Sequence, residues 1–574
     1  MDRLESARKI AAAAVYANEE RQWNGAPMEP YRTPQIFRFI TDAASRERLM
    51  DTITFAADWF EHDNVMGRDP RGEADFEAIR LIPLYFTCYD ALSGEAKEAL
   101  ERFFLRRDYS SIYGSENHAL MYRVSRYLAA QFYLGSGKVF EQFDSLTPEE
   151  VYTTDGAWIR EFLDYRAKRG WGEFDSCGYG AEIMLILSLL YAYTADDTMK
   201  RLAGMIMDVI LLDMICDSKN GLYGGAHGRI YPPTALDTKN SGLFRIYNYY
   251  FGARFGMDSL SGVPTALLLS DYVPSDIVYA VESGRTYPYV NREMKHLHMC
   301  SVWSGKEIDH ETLALVDDCF INKQTYVGER YLLGGVNHQD PYPDAAVNDK
   351  GYAHHQQHEW ELTLPGDTTH KIFSHHPGDP GYHKIHNRWT GDYGCLCSTH
   401  YTNENTAISI YTITKPNEFP YINAYVPLDV FEEKRIDGKY LFLAYPGLYI
   451  SLYFSSGYRV NNEDEYAGRE ILSDGRRHAV VLRVEYAEKF ASLAAFAEAI
   501  KAIPVVYDPE ARTVDFDGIH VYYHGNAEQG VENVYPYGML YDSPWMKSVW
   551  RSGVIEITDG NQTAVYDFNR VEVR

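Results

Sequence analysis

The sequence lacks a long apolar run, an excess of basic residues and any short repeat. No stretch approaches the ~20 consecutive apolar residues of a membrane-spanning helix, and no heptad pattern or low-complexity tract is visible. The net charge is −26, which argues against nucleic acid or an anionic membrane as a partner, because both require a cationic protein surface. An anionic small ligand remains compatible with a locally basic cleft.

Cysteine is also scarce, with seven residues in 574 and no C-x-x-C pair. An odd number of scattered cysteines argues against a full disulfide framework. The first 15 residues contain acidic side chains and only a short apolar run, unlike a signal peptide. These features predict a cytoplasmic protein, or a secreted or periplasmic one if a leader has been removed.

The first half of the chain has the patterns of α-helices. Thr147-Pro148-Glu149-Glu150 forms a capping box with proline at the first helical position, which predicts a helix start. Apolar residues recur at helical spacing in six segments, which lie at 44–60, 75–89, 95–104, 157–168, 181–193 and 199–215. Helices of this length joined by short loops predict hairpins stacked in an (α/α) toroid.

After about residue 275 the pattern changes to alternating polar and apolar residues. Such runs are typical of half-buried strands, and they occupy 407–413, 448–454, 478–486, 513–523, 554–558 and 563–573. Four Asp-Gly dipeptides, at Asp437, Asp474, Asp517 and Asp559, predict hairpin turns. One helical pattern at 487–503 interrupts the strands. We therefore predict an α domain at 1–275, an antiparallel β-sandwich at 276–504 and a small C-terminal β domain at 505–574.

Aromatic residues are abundant, with 47 Tyr, 26 Phe and 9 Trp. Aromatic faces and phenol hydroxyls suit a carbohydrate cleft, although tyrosine is also common in half-buried strands. The stretch Ser115-Glu116-Asn117-His118 stands at a predicted helix start, where an amide and an imidazole can bind an anionic group. The alternative is a capping Asn beside a packed His.

Two further loops concentrate polar residues. The segment 171–182 contains Trp171, Glu173, Asp175, Tyr179 and Glu182, whose charged and phenolic groups are costly beside an apolar helix unless paired or used. The segment 224–233 contains His227, Arg229 and Tyr231 at alternate positions, which share one face in an extended chain. A structural glycine-rich turn held by Arg229 is the alternative for this second loop.

Histidines cluster in the second half of the chain. His354 and His358 share a face of an alternating segment and could ligate a structural metal, but the spacing identifies no third ligand. Surface or cleft-lining histidines are the favoured interpretation. His375-His376-Pro377-Gly378 is typical of a strand end, and we expect this loop to close over the cleft of the helical half.

A helical toroid followed by a β-sandwich, with Asn117-His118, the segment from Glu173 to Tyr179 and the segment from His227 to Tyr231, resembles a superfamily of polysaccharide lyases. Its members include chondroitin AC lyase, alginate lyase and the heparinase II/III-like enzymes. The sequence lacks the Asn-Trp opening motif and the Asp-Gly-Ser/Thr-Tyr segment usual in that superfamily, which indicates a divergent member.

The resemblance implies β-elimination on a uronic-acid glycan: a proton leaves C5, the 4-O-glycosidic bond breaks and a 4,5-unsaturated sugar forms. Asn117, with Arg229 or Arg123, would neutralise the substrate carboxylate. His118 or His227 would be the base and Tyr231 or Tyr179 the acid. Trp171, Glu173, Arg123, His375 and His376 are the expected substrate-binding residues. No cofactor is required, the expected partner is an anionic oligosaccharide or polysaccharide, and a homo-oligomer is compatible with the sequence.

Two other functions remain open. A glycoside hydrolase built on the same toroid would use two of the carboxylates Glu173, Asp175 and Glu182. A carbohydrate-binding protein without catalysis would use the aromatic residues alone, and its polar clusters would only hold loops in place.

Overall fold

The computed structural model describes residues 2–19, 32–112, 115–142, 145–252, 254–296, 303, 307–317, 320–339, 358–378, 387–390, 397–523 and 538–574. Helices occupy the first half and antiparallel strands most of the second. The predicted order of a helical region followed by β structure is therefore confirmed. Closure of the helices into a toroid remains a prediction.

The helices are numbered here along the described chain. They are α1 Asp2–Glu19, α2 Thr33–Thr41, α3 Arg46–Ala57, α4 Trp59–Val65, α5 Ala74–Thr87, α6 Gly94–Glu101, α7 Glu116–Tyr133, α8 Pro148–Arg169, α9 Tyr179–Tyr193, α10 Asp197–Cys216, α11 Pro232–Leu236, α12 Gly242–Phe251, α13 Thr265–Leu269, α14 Asp276–Gly284, α15 His310–Val316, α16 Asn387–Thr390 and α17 Leu493–Lys501.

The two helices that flank the polar loop of segment 171–182 begin and end where local chemistry dictates. Thr147 caps α8 with the reciprocal contact to Glu150 that defines a capping box, so the predicted start is confirmed. The helix ends at Gly170, whose φ of 71° is accessible to glycine without strain. Helix α9 is buried along nearly its whole length, as its uniformly apolar sequence predicts. The loop between α8 and α9 is thus held between two well-fixed helices.

The strands are numbered in the same way. They are β1 Ser218–Lys219, β2 Leu222–Tyr223, β3 Tyr289–His296, β4 Phe320–Val327, β5 Leu332–Gln339, β6 Trp360–Thr363, β7 Lys371–His375, β8 Ser398–Thr402, β9 Thr406–Thr412, β10 Tyr421–Tyr425, β11 Glu433–Asp437, β12 Tyr440–Tyr445, β13 Leu448–Phe454, β14 Arg459–Val460, β15 Glu470–Asp474, β16 Arg477–Tyr486, β17 Val506–Asp508, β18 Thr513–Phe516, β19 Ile519–Tyr522, β20 Met539–Asp542, β21 Met546–Val549, β22 Val554–Thr558, β23 Thr563–Asp567 and β24 Glu572–Val573.

The sheets stack in layers beside the helices. A sheet with 13 described strands has the order β14-β15-β10-β7-β6-β5-β4-β3-β20-β21-β22-β23-β24, and a second has the order β11-β12-β13-β16-β9-β8. Part of the large sheet packs on the helices through residues such as Ile321 and Tyr541. Leu362 and Ile372 of the same sheet share another core with Ile450 of the six-stranded sheet. The two sheets therefore pack face to face, as in a β-sandwich.

The C-terminal strands do not form one separate sheet. Strand β20 pairs with β3, so β20–β24 extend the large sheet. Strands β17–β19 form their own three-stranded sheet, which packs on Ile408 and Val481 of the six-stranded sheet. Tyr566 Oη donates a 2.6 Å hydrogen bond to Asp208 of α10. Strand pairing therefore crosses the predicted boundary at 505, and the two boundaries between the three predicted domains remain predictions.

Three of the four Asp-Gly dipeptides form the expected hairpin turns. Asp437, Asp517 and Asp559 each lie between two paired strands. Asp474 differs, because β15 before it belongs to the large sheet and β16 after it to the six-stranded sheet. Here the prediction of a hairpin was wrong: the turn carries the chain from one layer of the sandwich to the other. Among the described helices, none combines the length and apolar character needed to cross a membrane.

Candidate functional site

A pocket lies where the loop between α8 and α9 meets α7, α10 and strand β2. Its empty volume is about 440 Å³, part of it open to solvent. Its lining combines aromatic, aliphatic and acidic side chains: Glu116, Trp171, Glu173, Asp175, Ser176, Tyr179, Gly180, Ile183, Ile210, Asp213, Tyr223 and Leu243. Trp171, Glu173 and Tyr179 among the predicted site residues are therefore brought together.

The two predicted polar loops meet at the rim of this pocket. Gly228 N donates a 2.6 Å hydrogen bond to Phe174 O, and a Cβ at position 228 would lie only 2.6 Å from Phe174 N. Glycine is therefore required for the loops to approach this closely. Ser176 Oγ also donates to Arg229 O at 2.6 Å.

Where the two loops meet, four polar side chains are joined by hydrogen bonds. Arg229 Nη1 donates to Glu173 Oε1 at 2.7 Å, and Arg229 Nη2 donates to Tyr231 Oη at 3.1 Å. The hydroxyls of Tyr231 and Tyr179 are 2.7 Å apart, and the Arg229 guanidinium lies 4.4 Å from the centre of the Tyr179 ring. One cation, one carboxyl group and two phenols thus form a continuous hydrogen-bonded set.

Burial and charge set the protonation of this group. Burial raises the pKa of Glu173, against the opposing field of Arg229. Burial also raises the pKa of Tyr179, so this phenol keeps its proton at neutral pH. For Arg229, burial opposes the charge, but Glu173, Tyr179 and Tyr231 together outweigh it and raise the pKa of the guanidinium. The set therefore offers a permanent cation beside a protonated phenol.

His227 lies deeper than Arg229 and Tyr231. Its side chain faces Asp175 O, which accepts a hydrogen bond from Nδ1 at 2.8 Å, and its backbone pairs with His358. Burial lowers the pKa of His227 to about 3, so the imidazole is neutral, with its proton on Nδ1. Nε2 has no partner among the described residues. The predicted common face thus holds for Arg229 and Tyr231, while His227 turns toward Asp175.

Asn117 and His118 lie at the start of α7, as predicted, but they separate. Asn117 is fully buried, and its Oδ1 accepts a hydrogen bond from Ser115 Oγ at 2.6 Å. His118 Nδ1 lies 2.6 Å from Oδ2 of Asp75, which is buried on α5. Neither lines the pocket; the residue of this motif that does is Glu116.

Arg123 is not brought to the pocket. Its Nη1 donates to Asp155 Oδ1 at 2.6 Å, and Arg126 binds the other oxygen of the same carboxylate. Both arginines are almost completely buried. The structure thus places Arg123 in a buried ion pair between α7 and α8, where a surface-exposed substrate contact was expected.

His375 and His376 also lie away from the pocket, at the predicted end of strand β7. Glu359 lies 3.0 Å from His400 Nε2 and 3.9 Å from His375 Nδ1, and burial lowers the pKa of His375 to about 3. His376 Nε2 contacts Phe419 O at 2.9 Å. Both histidines are buried, so the expected closing loop is packed inside the β half.

The histidine pair considered for a metal can be described only in part, because His354 lies outside the described residues. His358 Nε2 is 3.0 Å from Glu361 Oε2, and Lys371 Nζ reaches the same carboxylate oxygen at 3.1 Å. Nε2 of His358 is therefore already in contact with Glu361, which is itself paired with Lys371.

A buried ionic cluster forms the floor of the pocket. Asp175 contacts both Lys295 of β3 and Lys323 of β4, one carboxylate oxygen to each ammonium. Lys295 also contacts Asp213, and Lys323 contacts Asp217. Burial would raise the pKa of Asp175, but the two lysines hold it well below its usual range. Asp175 is therefore a fully paired carboxylate.

The oxygens of Asp175, Asp213 and Glu293 lie close enough together to hold a metal ion. The two lysine ammonium groups already supply positive charge at that point, and Lys323 lies 3.0 Å from Glu293. Burial and the neighbouring Glu293 raise the pKa of Asp213 well above its usual value. With Asp213 protonated, the two lysines balance the charges of Asp175 and Glu293, and Asp217 is a further carboxyl group bound to Lys323.

Sequence reasoning missed several residues of this region. Lys295 and Lys323 come from strands that gave no site signal, since a charged residue in an alternating strand is usually solvent-facing. Asp213 is one acid in the apolar helical pattern at 199–215. Asp75 is likewise a single acid in a helical pattern. Glu116 had a signal, because it belongs to the Ser115–His118 stretch, but the neighbouring amide and imidazole were preferred.

No known family's sequence model matches this chain, and no curated protein matches it. Among solved structures, the chain is distantly similar to chondroitinase AC lyase, a protein whose enzyme–oligosaccharide complexes have been solved. The identity is 8%, the TM-score is 0.34, and the alignment covers 99% of this chain and 97% of that one. A similarity this weak assigns neither a family nor an activity, so the function is argued from the site alone.

Proposed function

We propose that this protein is a lyase that cleaves 4-O-linked uronic-acid glycans by β-elimination, giving 4,5-unsaturated products. The observation that carries the proposal is the contact between the Tyr179 and Tyr231 hydroxyls, 2.7 Å apart, with Arg229 donating to Tyr231 at 3.1 Å. β-Elimination needs a group that removes the C5 proton, one that protonates the leaving oxygen and a cation for the developing charge. Tyr179 lines the pocket, and Tyr231 and Arg229 are joined to it through the contact between the two hydroxyls and the hydrogen bond from Arg229. The three side chains together provide these functions.

The roles follow from the contacts. Arg229 donates to Tyr231 Oη and would stabilise its phenolate form, so we assign removal of the C5 proton to the Tyr231 phenolate, which becomes a phenol as the leaving oxygen is protonated. Tyr179 retains its proton through burial and would donate it to the glycosidic oxygen. The Arg229 guanidinium would also neutralise the uronate carboxylate, with Glu173 holding it in place at 2.7 Å. Trp171 provides an aromatic face for the sugar ring.

The histidines and Asn117 support this scheme less directly. His227 is neutral, but its Nδ1 is bound to Asp175 O, and His118 is engaged with Asp75. Asn117 Nδ2 has no hydrogen-bond partner within the described chain, so an amide donor is available next to Glu116. Its role as a carboxylate neutraliser remains part of the proposal, and the base is reassigned from histidine to tyrosine.

A glycoside hydrolase is the second candidate. It is favoured by the different environments of Glu173, whose pKa is raised, and Asp175, whose pKa is lowered, in the lining of one pocket. Such a pair suits an acid and a nucleophile. Against it, both oxygens of Asp175 are bound by lysines and its side chain is only 1% exposed. Glu182 does not line the pocket.

The test is a screen of uronic-acid polymers and oligomers for the ultraviolet absorbance of the unsaturated product. On an active substrate, Tyr231→Phe and Tyr179→Phe should each lower kcat by about 10²–10⁴-fold, the usual contribution of a general acid or base. Tyr522→Phe, which alters a partly exposed tyrosine of the small sheet, is the matched control and should leave kcat unchanged.

Two results would contradict the proposal. New reducing ends without an unsaturated product, abolished by Glu173→Gln but retained in Tyr231→Phe, would establish the hydrolase. Binding of a glycan with no product of either kind would establish a carbohydrate-binding protein.

A further inference from the structure

Glu116, the first residue of α7, points away from its own helix and toward the loop between α8 and α9. Its Oε1 accepts a hydrogen bond from Gly172 N at 3.3 Å, and its Oε2 accepts one from Glu173 N at 3.1 Å. The residue is 2% exposed. One buried carboxylate thus holds two consecutive backbone amides of the loop that carries Trp171 and Glu173.

Arg166 of α8 completes this arrangement from the other side. Its Nη2 pairs with Glu116 Oε1, and its Nη1 donates to Gly170 O at 3.3 Å. The Arg166 side chain is fully buried, and its guanidinium lies 5.5 Å from the centre of the Phe162 ring and 5.6 Å from that of the Trp303 ring. The ion pair therefore fixes the loop backbone at residues 170, 172 and 173.

We propose that Glu116 and Arg166 form a loop clamp that positions Trp171 and Glu173 for the substrate. This inference rests on the proposed function, because its catalytic consequence passes through Glu173 to Arg229. The bound loop leaves the Glu173 side chain directed at Arg229 Nη1, 2.7 Å away, and Arg229 in turn contacts Tyr231. Glu116 is thus a positioning residue, with no contact to the reacting atoms.

The clamp also has an electrostatic consequence at Glu173. After burial and the opposing effect of Arg229, the negative charge of Glu116 is the next contribution to the raised pKa of Glu173. Removing that charge should let the Glu173 pKa fall. A residue that only holds the loop in place would not produce such a shift.

The first test needs no substrate: hydrogen exchange of the backbone amides of Gly172 and Glu173 in the full-length protein. In Glu116→Ala, both amides lose their acceptor, and their exchange should accelerate by about 10-fold or more through local opening. The amide of Val151, which donates to Thr147 O at 3.0 Å at the other end of α8, serves as an internal reference and should keep its rate. Unchanged exchange at 172 and 173 would overturn the clamp.

The second test uses turnover of the uronate substrate. Glu116→Gln should lower kcat/KM on the order of 10²-fold, the effect of a small misplacement of a binding group. The limb of its pH profile that reports Glu173 should move to lower pH. Glu149→Gln is the matched control, since Glu149 also follows a helix start and accepts a backbone amide, Gly135 N at 2.9 Å, but on the surface; it should behave as wild type.

The two tests separate the clamp from the proposed function. A Glu116→Gln protein with wild-type kcat/KM and an unshifted pH profile would overturn the positioning role. A wild-type protein inactive on every uronic-acid glycan would refute the lyase proposal, and the exchange rates at 172 and 173 would still decide whether the clamp exists.

Discussion

Replacing Lys323 by methionine should cost this protein a large part of its stability. The Lys323 side chain is completely buried and contacts three carboxylates, Asp175, Asp217 and Glu293. Methionine keeps much of the aliphatic volume but removes the charge, leaving buried acids without a cation. Breaking a buried ion pair by removing one partner costs about 3–5 kcal/mol. With three acceptors sharing one ammonium, we expect a loss of about 5 kcal/mol at pH 7.

The loss should depend on pH with a definite sign. Burial raises the pKa of Asp217 to about 6, and Lys323 is the main influence holding it down. Without the lysine, the folded-state pKa of Asp217 rises further. A carboxyl group with a raised folded pKa favours the folded state increasingly as pH falls through that value toward its unfolded pKa. The variant should therefore regain part of its stability between pH 7 and pH 5.

Chemical and thermal unfolding followed by circular dichroism would measure the effect. The matched control is Lys138→Met, because Lys138 pairs with Glu101 at 2.8 Å on the surface, with side chains 43% and 26% exposed. Such a pair contributes about 1 kcal/mol or less. If Lys323→Met were no more destabilising than the control, or if acid made it worse, the buried cluster would not have the charges assigned here.

Three further predictions concern other buried ionisable groups. Glu77 is 1% exposed, its carboxylate oxygens have no hydrogen-bond partner among the described residues, and burial raises its pKa to about 8. Glu77→Gln should therefore raise Tm at pH 9, where ionisation of the wild-type group costs up to about 4 kcal/mol. An unchanged Tm would contradict this prediction. Burial lowers the pKa of both His227 and His375 to about 3. The free energy of unfolding should therefore fall as pH drops from 6.5 toward 3, by up to about 4 kcal/mol for each histidine. His375→Phe should make acid unfolding less steep, and an acid transition identical to that of the wild type would refute the lowered pKa of His375. Arg123→Met removes one of the two arginine partners of Asp155. It should lower Tm while leaving KM for any uronate substrate unchanged. A rise in KM at unaltered Tm would instead support the predicted substrate contact.

The sequence was most informative where a local pattern alone determines the structure. The capping box at Thr147 placed the start of α8, and strict alternation located β13 and β22 with their exact ends. These elements depend on neighbours within a few residues, so periodicity and capping chemistry suffice. The turn at Asp474 failed because an Asp-Gly dipeptide specifies a turn but not the sheet to which the next strand belongs.

The candidate site was predicted unevenly for a related reason. The density of polar groups in the loops at 171–182 and 224–233 predicts that they belong to the site. The structure joins the two loops through Glu173, Arg229 and the two tyrosines. Helix α7 is buried along most of its length, so its sequence does not show which face meets the pocket. That is why Arg123, committed to Asp155, was not distinguished from Glu116, which reaches the loop.

The choice between lyase and hydrolase depends on residues that no local pattern reveals. Asp175 was a hydrolase candidate because it is an acid in a polar loop, yet Lys295 and Lys323, more than 100 residues later in the chain, occupy both its oxygens. The lysines reach it because β3 and β4 are adjacent, with Glu293 opposite Lys323 in the register, and because that part of the large sheet lies against the helical half. The β half therefore neutralises one carboxylate of the pocket and leaves the phenols and Arg229 as the groups available for chemistry. We therefore propose elimination over hydrolysis, because elimination needs a phenol and a cation but no second free carboxylate.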